Sequence, residues 1–248
     1  MSSPIVFERV TFRHGAQSPS VDLDLSLPEG KVTTIVGPSG SGKSTMLQLI
    51  NGLLRPNSGT VSVFGKPIDY QALQTLRRRI GYLVQGTSLF PHLTIEQNIA
   101  LTARIRGEVT ESKRIDELMS RMGLPLSYRQ RHPRQLSGGE QQRAAICMVL
   151  YGSPSILLMD ESLGSLDAIT RIEIQQQLLT LQAEAHYTTV LITHDMTEAL
   201  RLGDQLLVLS HGNVEAMGTA VEVQQSSSEL VQKLFRYSAY QHLKPGNA

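Results

Sequence analysis

The chain has 248 residues, of which 40% are hydrophobic, so it can bury one sizeable core. Its 23 basic and 22 acidic residues nearly cancel, which argues against a nucleic acid or another polyanion as a partner. The longest unbroken apolar run, residues 144–151, is far shorter than the roughly 20 residues of a membrane-spanning helix. The opening residues lack a basic leader and Cys147 is the single cysteine, so we expect a cytosolic protein that does not cross a bilayer.

Strand patterns alternate with helical patterns along most of the chain. Residues 21–27 alternate apolar with acidic or polar side chains, which predicts a strand with one wet face. Residues 31–36 form a more continuous apolar strand that leads into a glycine-rich loop and then a helix ending near Pro56. Further strands are predicted at residues 60–64, 80–85, 156–160, 188–193 and 205–209. We therefore predict an α/β fold built on a mostly parallel sheet.

The stretch from Gly86 to Gln135 lacks strand patterns. In it, Thr94 and Gln97 have the spacing of a capping box, and residues 112–122 carry apolar side chains at helical spacing. We expect an inserted helical subdomain over about residues 86–150, within one domain that spans residues 1–240. The last residues, 241–248, are predicted to form a flexible tail.

A phosphate-binding loop is predicted at residues 37–44. They read GPSGSGKS, fit the pattern G-x-x-x-x-G-K-[ST], and stand between a predicted strand and a predicted helix. The glycines let backbone N–H groups surround phosphate oxygens at the helix N-terminus, whereas a plain turn and helix cap would not require the lysine. Lys43 is then expected to hold the β- and γ-phosphates, with Ser44 on Mg²⁺ and Thr45 beside it. The predicted phosphate-binding residues are Gly37, Pro38, Ser39, Gly40, Ser41, Gly42, Lys43, Ser44 and Thr45.

An acidic pair, Asp160 and Glu161, follows four apolar residues of a predicted buried strand. Ligands gather at the carboxyl edge of the sheet in α/β proteins, so the pair lies where a nucleotide is expected. Asp160 would support the magnesium shell, and Glu161 would polarise a water for in-line attack on the γ-phosphate. Taken alone, such a pair is usually a solvated strand end, and only the phosphate loop upstream favours catalysis.

A second anion site is predicted at Ser137, Gly138 and Gly139. Ser137 and Glu140 have the spacing of a capping box, which accounts for those two residues. Capping does not account for the two glycines, which weaken a helix by roughly 1 kcal/mol each and suit a backbone that a ligand approaches closely. Because one loop already holds the phosphates, we expect this helix end to close on nucleotide bound by another copy of the chain.

The order of these motifs resembles that of ATP-binding-cassette (ABC) ATPases. The phosphate loop is followed by LSGGEQQR, then by ILLMDE and by Thr193-His194-Asp195, and the resemblance covers nearly the whole chain. It implies a P-loop NTPase core with a mostly parallel sheet, an antiparallel β subdomain and an inserted helical subdomain. It also implies that the chain binds ATP with Mg²⁺ and hydrolyses it.

Three further site residues are assigned only by this resemblance. Gln85 matches the glutamine that reaches magnesium and relays motion to membrane partners, and His194 matches the histidine that contacts the γ-phosphate. Without the resemblance, a glutamine or a histidine at a strand end is more often an ordinary polar residue. Asp167 matches the loop that crosses the dimer interface.

Two positions depart from the family's pattern. The family usually places an aromatic residue that stacks on adenine where His14 stands, and Phe12 is the alternative for that role. Ser162 replaces the proline that normally follows the catalytic glutamate, which loosens the turn but leaves Asp160 and Glu161 in place. We expect weaker recognition of the base and intact hydrolysis.

A finer resemblance points to the transported solute and to the partners. The stretches GTSLFPHLTIEQNIAL, LGSLDAITR and THDMTEALRLGD resemble ATPases of osmoprotectant and quaternary-amine importers, although parts of them also resemble importers of polyamines and amino acids. The resemblance implies a motor on the cytoplasmic face of the cell membrane. Its partners would be a second copy of itself or a homologous ATPase, integral-membrane permease subunits and, indirectly, a solute-binding protein.

Two other functions compete with the transport motor. A soluble cassette ATPase that acts on DNA, ribosomes or iron–sulfur assembly tends to show a coiled-coil insertion, duplicated cassettes or a basic patch, whereas here the interval from the loop to LSGGEQQR is short. A regulatory protein that binds nucleotide without hydrolysing it is expected to lack Glu161 or His194, and both are present. The sequence therefore favours the motor, without nucleic acid as a partner.

Overall fold

The structure is a computed structural model that describes residues 3–15, 19–86, 88–164 and 166–243. The chain divides into two units. The terminal unit consists of Met1–Leu76 and Thr188–Ala248, and the central unit is Arg77–Tyr187. Within the described ranges, the helices are all too short or too polar to cross a membrane.

Strands and helices alternate through both units. The strands are β1 (Ile5–Phe12), β2 (Val21–Leu27), β3 (Val32–Val36), β4 (Ser58–Val63), β5 (Lys66–Pro67), β6 (Ile80–Leu83), β7 (Ile156–Asp160), β8 (Thr188–Ile192), β9 (Gln205–Ser210) and β10 (Asn213–Gly218). The helices are α1 (Lys43–Ile50), α2 (Leu73–Arg77), α3 (Ile95–Ile99), α4 (Leu101–Arg106), α5 (Ser112–Arg121), α6 (Gly138–Tyr151), α7 (Ala168–Ala185), α8 (Met196–Leu202), α9 (Ala220–Gln224) and α10 (Glu229–Leu243).

An antiparallel sheet in the terminal unit has the strand order β2-β1-β4-β5. The predicted alternation of β2 is confirmed, because Val21 and Leu23 are buried while Asp22 and Asp24 are exposed. Strand β1 was not predicted, since its alternation changes phase at a bulge where Arg9 has φ 46. The bulge places one extra residue in β1, so its buried residues do not follow a period of two along the whole strand.

The parallel strands of the terminal unit position the phosphate loop. Strand β3 is parallel to β8 on one side and to β9 on the other, and β10 pairs antiparallel with β9. All five residues of β3 are buried, and the Thr34 hydroxyl donates to the carbonyl oxygens of Ala199 and Gln205, each at 3.2 Å. Because β3 and β8 run in the same direction, the loop after Val36 and the turn around His194 leave the sheet at the same edge.

The central unit combines two parallel strands with a run of helices. Leu83 of β6 lies opposite Met159 of β7, so the segments that follow these strands, which contain Gln85 and Glu161, leave at a common edge. Helices α3, α4 and α5 pack against α6, and every residue of α6 from Gln142 onwards is buried. This packing places the N-terminus of α6 at the surface of the unit while its C-terminal part forms the core.

The predicted α/β fold, with parallel strands, an antiparallel sheet and a run of helices, is confirmed. The element ends differ in detail: β6 ends at Leu83, two residues before the predicted end, and α1 ends at Ile50 before the apolar pattern does. Strand β10 was not predicted. Helix α10 continues to Leu243, inside the segment predicted as a tail, and residues 244–248 of that segment lie outside the described residues.

Candidate functional site

The backbone of the predicted phosphate loop has room only for glycine at two positions. A Cβ at Gly37 would lie 2.0 Å from the carbonyl oxygen of Leu209. Gly42 is the N-cap of α1 and has φ 100, in the left-handed region that favours glycine. Among the described residues, α1 has no side-chain cap, and the first turn contains no acidic residue. The positive end of this helix is therefore arranged for an anionic ligand.

The Lys43 ammonium lies over the loop. The residue is 7% exposed, and its Nζ donates to the carbonyl oxygens of Gly37 and Pro38, each at 2.9 Å. Ser44 is exposed next to it, whereas Thr45 is buried. One held cation and a helix N-terminus in the same small volume match the charge of a nucleotide's phosphates.

A turn between β9 and β10 anchors the loop from outside. The Gly212 N–H donates to the carbonyl oxygen of Ser41 at 3.1 Å, and the Gly212 carbonyl accepts from the Asp22 N–H at 2.7 Å. A Cβ at Gly212 would lie 1.8 Å from the carbonyl oxygen of Ser20, so this close approach also requires glycine. Sequence reasoning missed Gly212, because an isolated glycine in a turn does not reveal which loop it contacts.

His14 is placed beside the phosphate loop, whereas Phe12 is not available to stack on a base. Phe12 is 7% exposed within the core of the antiparallel sheet. The His14 ring meets the Phe12 ring edge to face, with centroids 4.8 Å apart, and its Nε2 lies 3.4 Å from the Thr45 hydroxyl. Of the two candidates for the base, the geometry favours His14.

The turn that carries His194 is held by hydrogen bonds on both sides. The Thr193 hydroxyl accepts from the Asp195 N–H at 3.0 Å and donates to the buried Glu198 carboxylate. The Asp195 carboxylate caps α8 by accepting from the Thr197 N–H at 2.8 Å. His194 is exposed and lies between these two anchors, which hold the backbone of the turn in place.

Gln85 and Glu161 meet in the central unit. The Gln85 amide donates to the Glu161 carboxylate across a long contact of 3.4 Å. Burial, and then the charge of Asp160, raise the pKa of Tyr82 to about 12. The Asp160 carboxylate thus lies close enough to the Tyr82 phenol to affect its pKa.

The chain turns sharply at Glu161. This residue has φ 46, a left-handed conformation that costs a residue with a Cβ about 1–2 kcal/mol. The Gly164 N–H donates to the Glu161 carbonyl oxygen at 3.3 Å, which closes the turn. Ser162 is buried, and its hydroxyl finds no hydrogen-bond partner among the described residues. The turn is thus closed although a serine stands where the family usually has proline.

The predicted capping box at the start of α6 is present. The Ser137 N–H and the Ser137 hydroxyl donate to the Glu140 carboxylate at 2.7 and 2.8 Å, and the Glu140 N–H donates back to the Ser137 hydroxyl oxygen at 3.4 Å. The hydroxyl proton of Ser137 is therefore already used. A phosphate at this helix end would be bound by the backbone N–H groups or by a reoriented hydroxyl.

The two glycines of α6 differ in what surrounds them. A Cβ at Gly139 would lie 2.7 Å from Cγ2 of Thr170, so close packing against α7 already explains this glycine. Packing is thus a second explanation for this glycine, and the predicted ligand contact at Gly139 stays a prediction. A Cβ at Gly138 would meet none of the described residues within 4 Å. Of the two glycines, Gly138 is thus the one that packing among the described residues does not explain and that points to a ligand at this helix end.

A cavity of about 320 Å³ opens at the starts of α6 and α7. It is lined by Ser137, Gly138, Gly139, Glu140, Arg143, Leu166, Asp167 and Thr170. Asp167 is the N-cap of α7, and its carboxylate accepts from the Ile169 and Thr170 N–H groups at 3.1 and 3.0 Å. These hydrogen bonds, chiefly that from the Thr170 N–H, hold the pKa of Asp167 below its usual range. The structure thus brings together the second predicted anion site and Asp167.

The predicted magnesium ligands offer oxygen atoms, which Mg²⁺ prefers. Ser44 contributes a hydroxyl, Gln85 an amide oxygen and Asp160 a carboxylate. The part of the chain that the structure describes contains no cluster of three or more His, Cys, Asp or Glu side chains that could hold a metal. Each donor thus has the chemistry that Mg²⁺ prefers, and the magnesium role of these residues stays a prediction.

Comparison with known proteins identifies similar sequences. The sequence profile of the ABC transporter family matches residues 21–164. The glycine betaine uptake system ATP-binding protein YehX of Escherichia coli K12 is 42% identical over 216 residues, which are 86% of this chain and 70% of that protein. The sulfate/thiosulfate import ATP-binding protein CysA of Synechocystis is 40% identical over 221 residues, 88% of this chain and 61% of that protein. The matched part of the chain thus spans 70% and 61% of the length of these two relatives.

Two solved structures share the fold. The structure of cbiO1 from Clostridium perfringens, part of the ABC transporter complex cbiONQ, matches with a TM-score of 0.82 and 28% identity, covering 98% of this chain and 100% of that chain. A dimeric, post-hydrolysis state of the ATP-binding cassette MJ0796, bound to ADP and Pi, matches with a TM-score of 0.75 and 33% identity, covering 87% of this chain and 98% of that chain.

The different surroundings of the two glycines lead to a prediction about stability. Replacing Gly138 by alanine should raise the free energy of unfolding by up to about 1 kcal/mol, because alanine favours the helix. Replacing Gly139 by alanine should lower it by about 1–3 kcal/mol, because the new methyl group overpacks against Thr170. Urea denaturation of both variants measures the two signs.

A matched control is the double variant Gly139→Ala with Thr170→Ser, which removes the opposing methyl group. It should be more stable than Gly139→Ala alone. Equal destabilisation by both single alanine variants would contradict the distinction between the glycines.

The capping box of α6 leads to a prediction about pH. The Ser137 backbone N–H, and then the Ser137 hydroxyl, hold the pKa of Glu140 below its usual range. The ionised form therefore stabilises the fold, and this contribution is present above the ordinary carboxyl pKa of about 4.3 and is lost as the pH falls through the folded value. The difference in unfolding free energy between wild type and Glu140→Gln should shrink from pH 7 to pH 3.

The box at Thr94 supplies the control, because there a neutral Gln97 accepts from the Thr94 N–H at 3.0 Å. The stability lost in Gln97→Ala should not vary over the same pH range. A constant difference for Glu140→Gln would show that the charge does not contribute.

Proposed function

The chain belongs to the ABC transporter family and is an ATP-binding-cassette ATPase, and we propose that it is the motor subunit of an importer for osmoprotectants or related small solutes. The family predicted from the motifs is confirmed by the profile match over residues 21–164 and by relatives at 40–42% identity. One observation carries the proposal for the chemistry. The Lys43 ammonium lies over a glycine loop at the N-terminus of a helix whose first turn contains no acid.

We assign the nucleotide to the loop residues already described. Their backbone N–H groups bind the phosphates, Lys43 contacts the β- and γ-phosphates, and Thr45 supports the loop beside Ser44. His14 contacts the adenine base with a ring that the Phe12 edge and the Thr45 hydroxyl hold in place. An imidazole covers less of a purine than a larger aromatic ring does, so the phosphates contribute most of the affinity.

Glu161 activates the attacking water in this proposal. Its carboxylate orients the water and accepts its proton, while the water oxygen forms a bond to the γ-phosphorus and the bond to the β-phosphate oxygen breaks. The products are ADP and inorganic phosphate. His194 contacts the γ-phosphate. Gln85 donates a hydrogen bond to the Glu161 carboxylate and so connects it to the segment that follows β6.

Ser44, Gln85 and Asp160 would hold Mg²⁺ through a hydroxyl, an amide and a carboxylate oxygen. A bound Mg²⁺ neutralises charge on the β- and γ-phosphate oxygens. Asp160 lies near the phenol of Tyr82. Because this phenol is neutral, it adds no negative charge to that of Asp160 and Glu161.

A second copy of the chain completes the site. We propose that Ser137, Gly138, Gly139 and Asp167 of one copy face the γ-phosphate of the nucleotide held by the loop of the other. A ligand can approach the cavity at the starts of α6 and α7 at Gly138, where a Cβ would meet none of the described residues within 4 Å. The backbone N–H groups at the start of α6 are suited to binding a phosphate. The dimeric form of MJ0796 supports this arrangement.

The solute and the remaining partners follow from the relatives. Resemblance to a glycine betaine uptake system favours osmoprotectants, while the sulfate/thiosulfate relative at 40% identity shows that similar cassettes are named for other solutes. We propose that the chain acts at the cytoplasmic face of the cell membrane with permease subunits and, through them, with a solute-binding protein. The nearly balanced charge offers no support for nucleic acid as a partner.

The role of Glu161 leads to a prediction about turnover. Glu161→Gln keeps the size of the side chain but cannot accept the proton, so phosphate release should fall by about 100-fold or more while ATP still binds. Phosphate release and equilibrium binding of ATP with Mg²⁺ measure the two effects. Turnover at the wild-type rate would remove the assignment.

Lys43→Ala is the contrasting variant. It removes the phosphate contact itself, so the affinity for ATP and the turnover should fall together. If Lys43→Ala bound ATP as tightly as wild type, the phosphate loop would not be the nucleotide site.

The proposed site in trans leads to a prediction about association. Without nucleotide the chain should sediment as a monomer, and Glu161→Gln with ATP and Mg²⁺ should sediment as a dimer because hydrolysis no longer reopens it. Adding Ser137→Arg should abolish this dimer, since a bulky side chain blocks the helix end, and should leave ATP binding by the monomer unchanged. A dimer that survives Ser137→Arg would mean that this helix end is not the trans phosphate site.

A further inference from the structure

We propose that Arg143 is a positioning residue that locks the start of α6 to the start of α7. This inference rests on the proposed function, in which Ser137 and Asp167 at those two helix starts face nucleotide on a second copy. Arg143 lies on α6 six residues after Ser137 and is 8% exposed. Arg143 is the last residue of LSGGEQQR, and neither the capping box nor the proposed phosphate contacts of this motif give it a role.

The guanidinium of Arg143 connects three helices. Its Nη1 donates to the carbonyl oxygen of Met122, the C-cap of α5, at 2.8 Å, and also to the Gln177 amide oxygen. Its Nη2 donates to the Glu173 carboxylate at 2.6 Å. A guanidinium is planar and its N–H groups point in fixed directions, so these contacts set both the distance and the angle between α6 and α7.

The contacts act on the helix ends that line the cavity. Glu173 and Gln177 are four residues apart and lie on one face of α7, which begins after its cap Asp167. On the other side, the 2.7 Å that separates a Cβ at Gly139 from Thr170 shows that the first turns of the two helices are already in close contact. Packing resists approach and Arg143 resists separation, so the spacing between Ser137 and Asp167 is fixed.

The chain offers a matched control for a purely structural role. Arg121 Nη2 contacts the Glu184 carboxylate at 2.5 Å and thereby also joins α5 to α7 by an arginine–glutamate pair. Glu184 is seventeen residues after Asp167, about 25 Å along the helix at 1.5 Å per residue. Removing Arg121 should therefore disturb α7 far from the cavity.

The test measures dimer formation by sedimentation in the Glu161→Gln background with ATP and Mg²⁺. Arg143→Gln should weaken the dimer roughly tenfold, while Arg121→Gln should change it by less than about twofold. The affinity of the monomer for ATP should stay within about twofold in both variants, because the phosphate loop belongs to the terminal unit. Unchanged dimer affinity in Arg143→Gln would overturn the proposal.

A double-mutant cycle separates positioning from general damage. Gly138→Ala places a methyl group where the phosphate would approach, so it should weaken the dimer without destabilising the fold. If Arg143 acts through this helix end, adding Arg143→Gln to Gly138→Ala should weaken the dimer by less than about threefold further. A full tenfold further loss would mean that the effects are independent and would overturn the positioning role.

Two further variants keep the test decisive. If Arg143→Gln does not fold, Glu173→Gln removes the charge of its partner at a side chain that is 56% exposed, and should weaken the dimer in the same direction by roughly threefold. Ser137→Arg tells apart the two failures. A dimer that survives Ser137→Arg overturns the proposed trans site, whereas loss of the dimer in Ser137→Arg together with full affinity in both Arg143→Gln and Glu173→Gln overturns the positioning role alone.

Discussion

The proposed nucleotide site depends on the absence of negative charge at the start of α1. Gly42 caps the helix, its first turn contains no acid, and the Lys43 ammonium is held by the carbonyl oxygens of Gly37 and Pro38. The helix dipole and the ammonium therefore act on one small volume, for which a phosphate is the matching ligand. The contact from Gly212 and the close approach at Gly37 fix the backbone of the loop, so little reorganisation is needed when phosphate binds.

The start of α6 differs from the start of α1 in its charge. There the Glu140 carboxylate already accepts from the N–H and hydroxyl of Ser137, and the Asp167 carboxylate, as the N-cap of α7, accepts from the N–H groups of Ile169 and Thr170. A phosphate that enters the cavity meets the carboxylates of Glu140 and Asp167, and the Arg143 guanidinium that also lines it is already paired with Glu173, so we expect this site to bind an anion more weakly than the loop does. ATP should therefore bind to the loop first and engage α6 only when a second copy presents it. The clamp that we propose would require this order, because equally strong sites would each bind their own nucleotide and leave the two copies apart.

The elements that could be predicted from the sequence are those whose signals are local. Strand β2 and the capping box at Ser137 were predicted because each pattern lies within a few residues. Strand β1 was missed because the bulge at Arg9 breaks its alternation, and the partners of Arg143 were missed because Gln177 lies 34 residues away. Gly138 and Gly139 look alike in the sequence, and only the position of α7 separates them. Contacts between distant segments thus account for most of what the sequence did not reveal.

The chain departs from local preference at the end of β7. Glu161 adopts a left-handed conformation, and the Ser162 hydroxyl is buried with no partner among the described residues, which together oppose folding by roughly 2–5 kcal/mol. The reversal at Glu161 takes its carboxylate off the buried strand to a half-exposed position at the strand end, where Gln85 reaches it. The backbone, and not the charge, thus determines where this side chain lies. At Lys43 the opposite holds, because the ammonium's hydrogen bonds to two loop carbonyls are part of the loop's geometry. A substitution at Glu161 can therefore remove the catalytic carboxylate without changing the backbone turn. A substitution at Lys43 removes the phosphate contact and also the hydrogen bonds that hold the loop.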